Sequence, residues 1–438
     1  MKSRLPLLII PYEILVREID GCVLLAYEYA KQGGVSLIGQ KQALFPIIKF
    51  LRNSIWFLKS IVPGEVFIQK MIYKNKSKVF SYDVEGLAPS EGEIGVLARF
   101  SADSLKLTEY HFCWNKEELN RYIKIFPNFE KKFICSGIPI QESWFKYSKL
   151  SNKKNTALFV SGFPLIGELQ EIYNQEQTYN VSGNNLKKMA QLKEEICMQK
   201  SGKKYTEDFI DFLLEKGIKV NIRKHPAELG NIWEKYRNNP QVTFDDFTKP
   251  ITDSILNSDF LILFNSTVSV QAYYMGKKSF LYFPKEEINK YQSTFSKIAM
   301  KYSNTLNSLS EFEKPKKSLI DNKIIMKNKK ISKTILSYML SSFKEGNYYY
   351  NRFLLIIISP FFRLKRLIIF LLSQQKLYQK IFPNNVFSPL YYKVGKNKSP
   401  LNTYDSVKRS INNMKLKSKK IKLKKITHNL IEFSLIKS

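Results

Sequence analysis

Apolar runs of strand length alternate with stretches of helical period through the first 145 residues. Residues 5–10 form a continuous apolar run, and residues 19–32 then carry apolar positions at helical spacing and stop at Gly33-Gly34. Residues 35–38 read as a strand, 45–57 as a helix, 66–69 as extended, and Lys78–Tyr82 and 132–135 as two more strands. Such alternation predicts parallel βαβ units. The polar stretch 148–156 reads as a linker, and a second series follows it. Its strands are expected at 157–160, Lys219–Arg223, Val242–Phe244, 260–264 and 279–283. Its helices are expected at 206–216, 253–257 and 268–275, with Gly217 and Gly276 as stops and 165–203 as a polar, helix-prone insertion. No repeat of solenoid period is evident.

The pattern changes after residue 314. Residues 314–333 are basic and read as loose. Residues 353–372 are apolar but interrupted by Pro360, Arg363, Lys365 and Arg366, and 415–425 is a run of charge. Leu364, Leu367, Ile368, Leu371 and Leu372 can share one helical face. That segment is expected either to lie in a membrane interface or to pack back as a core helix. No uninterrupted apolar run reaches the roughly 18–20 residues of a membrane span. The N-terminal run is too short for a secretory leader, which leads to the expectation of a cytoplasmic protein, peripheral at the inner face of the cell membrane.

Charge sharpens this picture. The 438 residues hold 70 Lys and Arg against 38 Asp and Glu, a formal net charge of +32. About twenty basic and three acidic residues fall in 341–438, so roughly half of the excess sits in the last quarter. A basic tail suits an anionic membrane surface, with nucleic acid not expected as a partner. The plainer account is a Lys-, Asn- and Ile-rich codon bias with lysines solvating the surface. Cys22, Cys113, Cys135 and Cys197 show no CxxC spacing and read as reduced thiols, not as a zinc site or disulfide set.

In open parallel sheets, ligands bind beyond the carboxyl ends of the strands. Three polar clusters fall there. Arg223-Lys224-His225-Pro226 follows one strand; Pro226 suits the first turn of a helix, and a helix N-terminus attracts phosphate. The alternative is a solvated basic loop. Asn265-Ser266-Thr267 follows the run 260–264, as a phosphate cradle or as ordinary helix capping. Asp83-Val84-Glu85-Gly86 follows Lys78–Tyr82. Its carboxylates suit a general base, a DxE clamp for a divalent cation, or a solvated turn. Glu13, Arg17, Glu18 and Asp20 crowd the region after the first strand, as cleft residues or as helix charge pairs. There is no GxSxG, GxxxxGK[ST] or HExxH, which removes the serine-hydrolase, P-loop and zincin motifs.

Taken together these residues resemble a family of bacterial surface carbohydrate biosynthesis proteins. The likeness covers roughly residues 5–284. It runs from the PYEILVREID stretch through Gly64 with Lys70, Asp83-Val84-Glu85-Gly86-Leu87, Ser136-Gly137-Ile138-Pro139 and Arg223-Lys224-His225-Pro226 to Asn265-Ser266-Thr267 with Gln271-Ala272. The acidic pair before Gly, the His-Pro pair and the Ser-Thr pair also resemble bacterial GT-B sialyltransferases, and in part CMP-Kdo transferases and CDP-glycerol-type polymerases. Val84 stands where the family often carries an acidic residue, and Gln271 where it usually has Glu.

The resemblance implies an α/β chain of two Rossmann-like domains facing a cleft (GT-B), plus a basic helical C-terminal extension. An acceptor domain is expected over 1–147, a nucleotide-binding domain over 157–340 and the tail over 341–438. By the likeness Glu85, with Asp83, is the base. His225 contacts the leaving phosphate. Arg223, Pro226, Asn265, Ser266 and Thr267 complete the phosphate site, and Gln271 contacts ribose or base. Glu13, Arg17, Glu18 and Lys70 are expected near the acceptor. The implied activity is an inverting, metal-independent glycosyltransferase taking an ulosonic acid from a CMP donor to a glycan or lipid-linked acceptor, with no cofactor beyond the sugar nucleotide. The alternatives are a CDP-polyol phosphotransferase of teichoic-acid-like polymers and a non-catalytic membrane-surface or nucleic-acid binding protein acting through its basic tail.

Overall fold

The first apolar run becomes strand β1 (Leu8–Tyr12), buried along its whole length. A strand covered on both faces needs no polar alternation, which is why it reads as one continuous run. The computed structural model describes residues 2–3, 5–86, 92–147, 155–166, 183–225, 228, 230–245, 250–264, 266–284, 294–313, 330–343, 348–349, 403–416, 421–427 and 430–435. These divide into two units, Met1–Lys146 with Asn322–Ser438, and Tyr147–Asp321.

In the first unit β1 leads to helix α1 (Leu15–Lys31), strand β2 (Ser36–Gln40) and strand β3 (Ile55–Leu58). Helix α2 (Val66–Lys74), strand β4 (Lys78–Tyr82), helix α3 (Gly92–Arg99) and strand β5 (Thr108–Cys113) follow. Helix α4 (Lys116–Ile125), strand β6 (Phe133–Cys135) and helix α5 (Pro139–Tyr147) complete the N-terminal part. The six strands are parallel in the order β2-β1-β3-β4-β5-β6. The order turns over between β1 and β3, which makes their carboxyl ends the switch point of the sheet. Pairing of β1 with β3 stops at Ile9–Trp56, so Pro11 lies past the last pair on that side, where its missing N–H is not needed.

The second unit holds strand β7 (Thr156–Val160), helix α6 (Gly183–Glu215), strand β8 (Lys219–Arg223) and strand β9 (Val242–Phe244). Helix α7 (Ile251–Leu256), strand β10 (Phe260–Leu263), helix α8 (Val268–Tyr274), strand β11 (Lys278–Tyr282), helix α9 (Thr294–Tyr302) and strand β12 (Asn304–Leu306) follow. All six strands are parallel in the order β9-β8-β7-β10-β11-β12, the doubly wound Rossmann order, with its switch between β7 and β10. The fold is therefore the expected α/β, with one parallel doubly wound sheet per unit.

The chain then returns to the first unit. Helix α10 (Ile331–Ser341) packs on α1, and the N–H of Ser332 donates to the Glu142 carboxylate at 2.7 Å. Helix α11 (Thr403–Asn413) also lies on α1, joined by Tyr12 Oη to Thr403 Oγ1 at 2.6 Å. Strands β13 (Ile421–Thr427) and β14 (Leu430–Leu435) form a hairpin whose second strand pairs antiparallel with β2. This differs from the expected division in two ways. Helix α10 belongs with the first sheet and not with the second unit, and α11, β13 and β14 pack on the first unit as part of its core.

Two local readings also change. Residues 45–57 are a short 3-10 turn, Phe45–Phe50, followed by β3. Asn53, at φ 49°, breaks the chain between them. Both parts are apolar, so no change of period marks the boundary. Residues 66–69 belong to helix α2, where Ile68 and Ile72 share the buried face and Gln69 Nε2 donates to Thr108 Oγ1 at 3.0 Å. Strand β5 is not among the expected strands, although Glu109-Tyr110-His111-Phe112 alternates polar and apolar residues at strand period.

Candidate functional site

The carboxyl ends of β1 to β4 carry an interlocked set of charges. At the switch point, Glu13 follows β1 and Lys59 follows β3, and they pair at 2.6 Å. Lys41, just after β2, lies 2.6 Å from Glu65 and 3.8 Å from Glu13. Glu18 turns back to accept from the N–H groups of Glu13 and Ile14 at 2.9 and 3.1 Å, closing the N-terminus of α1. Arg17 then bridges Glu18 at 3.4 Å and Glu85 at 3.3 Å. Arg99, from the last turn of α3, pairs with Glu85 and lies 3.6 Å from Asp83. Glu13, Arg17, Glu18, Asp83 and Glu85 thus lie in one network of charges. Lys70 does not join them; it stands on the exposed face of α2.

The two carboxylates of the β4 loop differ in environment. Asp83 is buried, accepts from the Glu85 N–H at 2.9 Å, and is pushed up by that burial against the charge of Arg99. Glu85 keeps 43% of its side chain exposed. Burial works to raise it, but the hydrogen bond from Arg99 and the charges of Arg17, Arg99 and Lys59 prevail and hold it at about 2. It is an anion at every physiological pH.

Behind this loop lies a buried carboxyl that the sequence did not suggest. Glu118, on α4, is 1% exposed, accepts from Tyr122 Oη at 2.6 Å, and fills the space beside Gly86. A Cβ at Gly86 would meet Glu118 Oε1 at 1.8 Å, so the close approach of that buried carboxyl favours glycine there. Burial drives Glu118 up to about 8, against the hydrogen bond from Tyr122. A carboxyl raised in the fold lends its full stability below its unfolded value, about 4.3, and loses it as pH rises toward 8. Glu118→Gln should therefore gain on the wild type between pH 5 and 8, by up to a few kcal/mol. Thermal midpoints of both proteins across that range test this. A constant difference between the two would refute it.

In the second unit the strand ends carry a smaller set. Arg223 is buried and bound to Asp245 at 2.7 Å and to Ser254 Oγ at 3.1 Å. Both bonds are made by Nη1 and link the end of β8 to the residue after β9 and to α7. His225 is exposed, and its N–H lies 3.5 Å from Glu228 Oε2. Glu228 is buried, pushed up by that burial, and accepts from Ser161, after β7, and from Trp233 Nε1 at 2.8 Å. Ser266 and Thr267 follow β10 and are half-buried; Ser266 Oγ accepts from the Val268 N–H at 3.3 Å, while Thr267 leaves its hydroxyl out of the cap. Ser161 and Ser266 therefore flank the switch point. Gln271 is buried and donates to Thr252 Oγ1 at 3.1 Å. Pro226, Asn265 and residues 353–372 lie outside the described residues.

Sequence reasoning missed Lys41, Lys59, Arg99, Glu118 and Glu228. Lys41 and Lys59 each stand one residue after a strand, so the strand-end rule would have found Lys59 had β3 been separated from the turn before it. The other three come from helices or loops and join through tertiary contact alone.

No protein-family model matches the sequence, and no curated relative matches it. Several solved structures are similar in fold. A UDP-GlcNAc 2-epimerase from Methanocaldococcus jannaschii aligns over 77% of this chain and 99% of its own, at 10% identity and a TM-score of 0.45. The S. aureus MnaA–UDP complex aligns over 79% and 100%, at 9% identity and a TM-score of 0.46. The wall teichoic acid polymerase TagF, as its H444N variant with CDPG, aligns over 78% and 89%, at 12% and 0.38. At these values the functional reading rests on the chain's own residues. Among the described residues no helix is long and apolar enough to cross a membrane.

Proposed function

We propose that the protein is a glycosyltransferase of bacterial surface carbohydrate synthesis that moves a sugar, an ulosonic acid from a CMP donor, to a glycan or lipid-linked acceptor with inversion. The observation that carries this reading is Glu85, an ionised and partly exposed carboxylate at a strand end near the switch point of a doubly wound sheet. An acceptor hydroxyl that displaces Arg99 from Glu85 would take over its hydrogen bond and remove the largest influence lowering its pKa. The carboxylate then receives the hydroxyl proton as the oxygen attacks the anomeric carbon. Glu13, Lys59 and Lys41 offer carboxylate and ammonium groups to the remaining acceptor hydroxyls. In the second unit His225 donates to the departing phosphate, with the hydroxyls of Ser266 and Thr267 beside it. The family resemblance supports the CMP donor and the surface-carbohydrate setting.

Thermal shift with CMP and CDP against UDP and GDP tests the nucleotide. Cytidine nucleotides should raise the midpoint of the wild type most. His225→Ala should weaken that shift and lower turnover at least tenfold, while the nucleotide-free midpoint stays put, since the side chain is exposed. Wild-type turnover in the variant would remove His225 from the site. Turnover of CDP-glycerol in place of a CMP-sugar would move the reaction to phosphorus.

A further inference from the structure

We propose that the outward face of α2 is a docking surface for an anionic lipid bilayer. This helix buries Ile68 and Ile72, and Gln69 Nε2 reaches Ser104 O at 3.1 Å. Its opposite face is unusual for a surface helix. Phe67, Met71 and Tyr73 are 60%, 39% and 67% exposed. They are three of the five large hydrophobic residues exposed among the described residues, all on one nine-residue helix. Scattered exposed apolar residues need no explanation, but a cluster of this kind does.

The surroundings of the cluster select its partner. Lys70 and Lys74 share the exposed face of α2, and Lys76, exposed and at φ 55°, stands two residues after its end. At 100° per residue, Phe67, Lys70, Met71, Tyr73 and Lys74 fall within about 160° of arc. The helix contains no acidic residue. From residue 41 to 82 there are eight Lys and Arg against one acid, Glu65, and that acid is paired with Lys41. Aromatic and thioether side chains enter the boundary between headgroups and acyl chains, while lysine stems lie along it and hold their ammonium groups at the lipid phosphates. A second copy of the chain is a poor partner, because two such faces would bring their lysines together with no carboxylate to answer them. A nucleic-acid backbone would reward the cations but gain little from Met71 amid them. Glu65 immediately precedes α2 and belongs to the charged cluster, so docking would hold that cluster near the interface. The surface stands on the exposure and charge of α2 and does not depend on the transferase reading.

Co-sedimentation of the full chain with vesicles tests this. Wild type should bind phosphatidylcholine vesicles that contain phosphatidylglycerol, should release them at high salt, and should ignore pure phosphatidylcholine. Each cation near an anionic surface contributes about fivefold in partitioning, so Lys70→Glu, Lys74→Glu and Lys76→Glu combined should lower binding at least a hundredfold. Phe67→Ser, Met71→Ser and Tyr73→Ser combined should lower it about tenfold or more. Both sets change exposed residues, and unaltered thermal midpoints confirm that the fold is kept. Wild-type binding by either set would overturn the proposal and move membrane contact to another basic segment. Failure of wild type to bind the anionic vesicles would also overturn it. So would self-association or capture of single-stranded RNA that the variants abolish while vesicle binding persists.

Discussion

A chain ending at Ser342 is expected to lose the native fold of its first unit. The segments removed include α11, β13 and β14, and their contribution is large. Strand β14 pairs with β2 through Leu430–Gly39, Ile431–Ile38, Glu432–Leu37 and Phe433–Ser36. Val407, Leu430, Ile431 and Phe433 are each 0% exposed. At about 2 kcal/mol for a fully buried apolar side chain, these four contribute roughly 8 kcal/mol. A whole domain is stable by only about 5–15 kcal/mol. The truncation would also uncover β2, whose Leu37 and Ile38 would then stand on an open edge, a template for aggregation. Among the described residues the outer strand is β13, and its lysines at 422, 424 and 425 suit an edge that must not pair. Near-UV circular dichroism and limited proteolysis should report a disordered first unit and aggregation. Phe433→Ala asks the same question more gently and should cost about 3–5 kcal/mol. A truncated chain with the wild-type near-UV spectrum and thermal midpoint would contradict the assignment of α11, β13 and β14 to the core.

That long-range pairing marks where reading by pattern fails. Strand β14 meets a strand some 390 residues earlier, and nothing local in either records it. The second unit was far more legible. Its strands are short apolar runs, and Gly217 and Gly276, both at φ 72°, end the helices in the left-handed conformation that glycine alone adopts without cost. With the strands placed, the rule that ligands meet strand carboxyl ends led to Glu13, Asp83, Glu85, His225, Ser266 and Thr267. Side-chain chemistry was harder. Arg223 has the composition and position of a phosphate ligand, yet its guanidinium is held by Asp245, which no spacing rule pairs with it. Arg99, from α3, holds the charge state of the acidic loop, and Glu118, from α4, packs beside its Gly86; both act only after folding. Pattern located the loops; which charges are free and which are committed was decided by tertiary contacts.

The state of the acidic loop yields the second large effect. Glu85→Gln keeps the shape of the side chain and removes its capacity to take a proton. Turnover should fall by about 10²–10⁴, the usual contribution of a general base, with donor binding little changed. Stability should move little, because the carboxylate is partly exposed and ion pairs of that kind contribute about 1 kcal/mol or less. The companion change, Arg99→Gln, acts through the same carboxylate in the opposite sense. In the wild type Glu85 sits at about 2, so kcat/KM should show no acid limb from it at any pH where the protein is folded. Without the hydrogen bond and charge of Arg99, Glu85 should rise toward the ordinary value of about 4.3, and an acid limb should emerge between pH 4 and 5. Glu85→Gln with Arg99→Gln should lack that limb, which separates titration of Glu85 from acid unfolding. Glu85→Gln within threefold of wild-type turnover would remove the base assignment. Loss of wild-type activity with EDTA, restored by Mg²⁺ or Mn²⁺, would instead make Asp83 and Glu85 ligands of a divalent cation, and Arg99 would then be the group that occupies the metal's place when no substrate is bound.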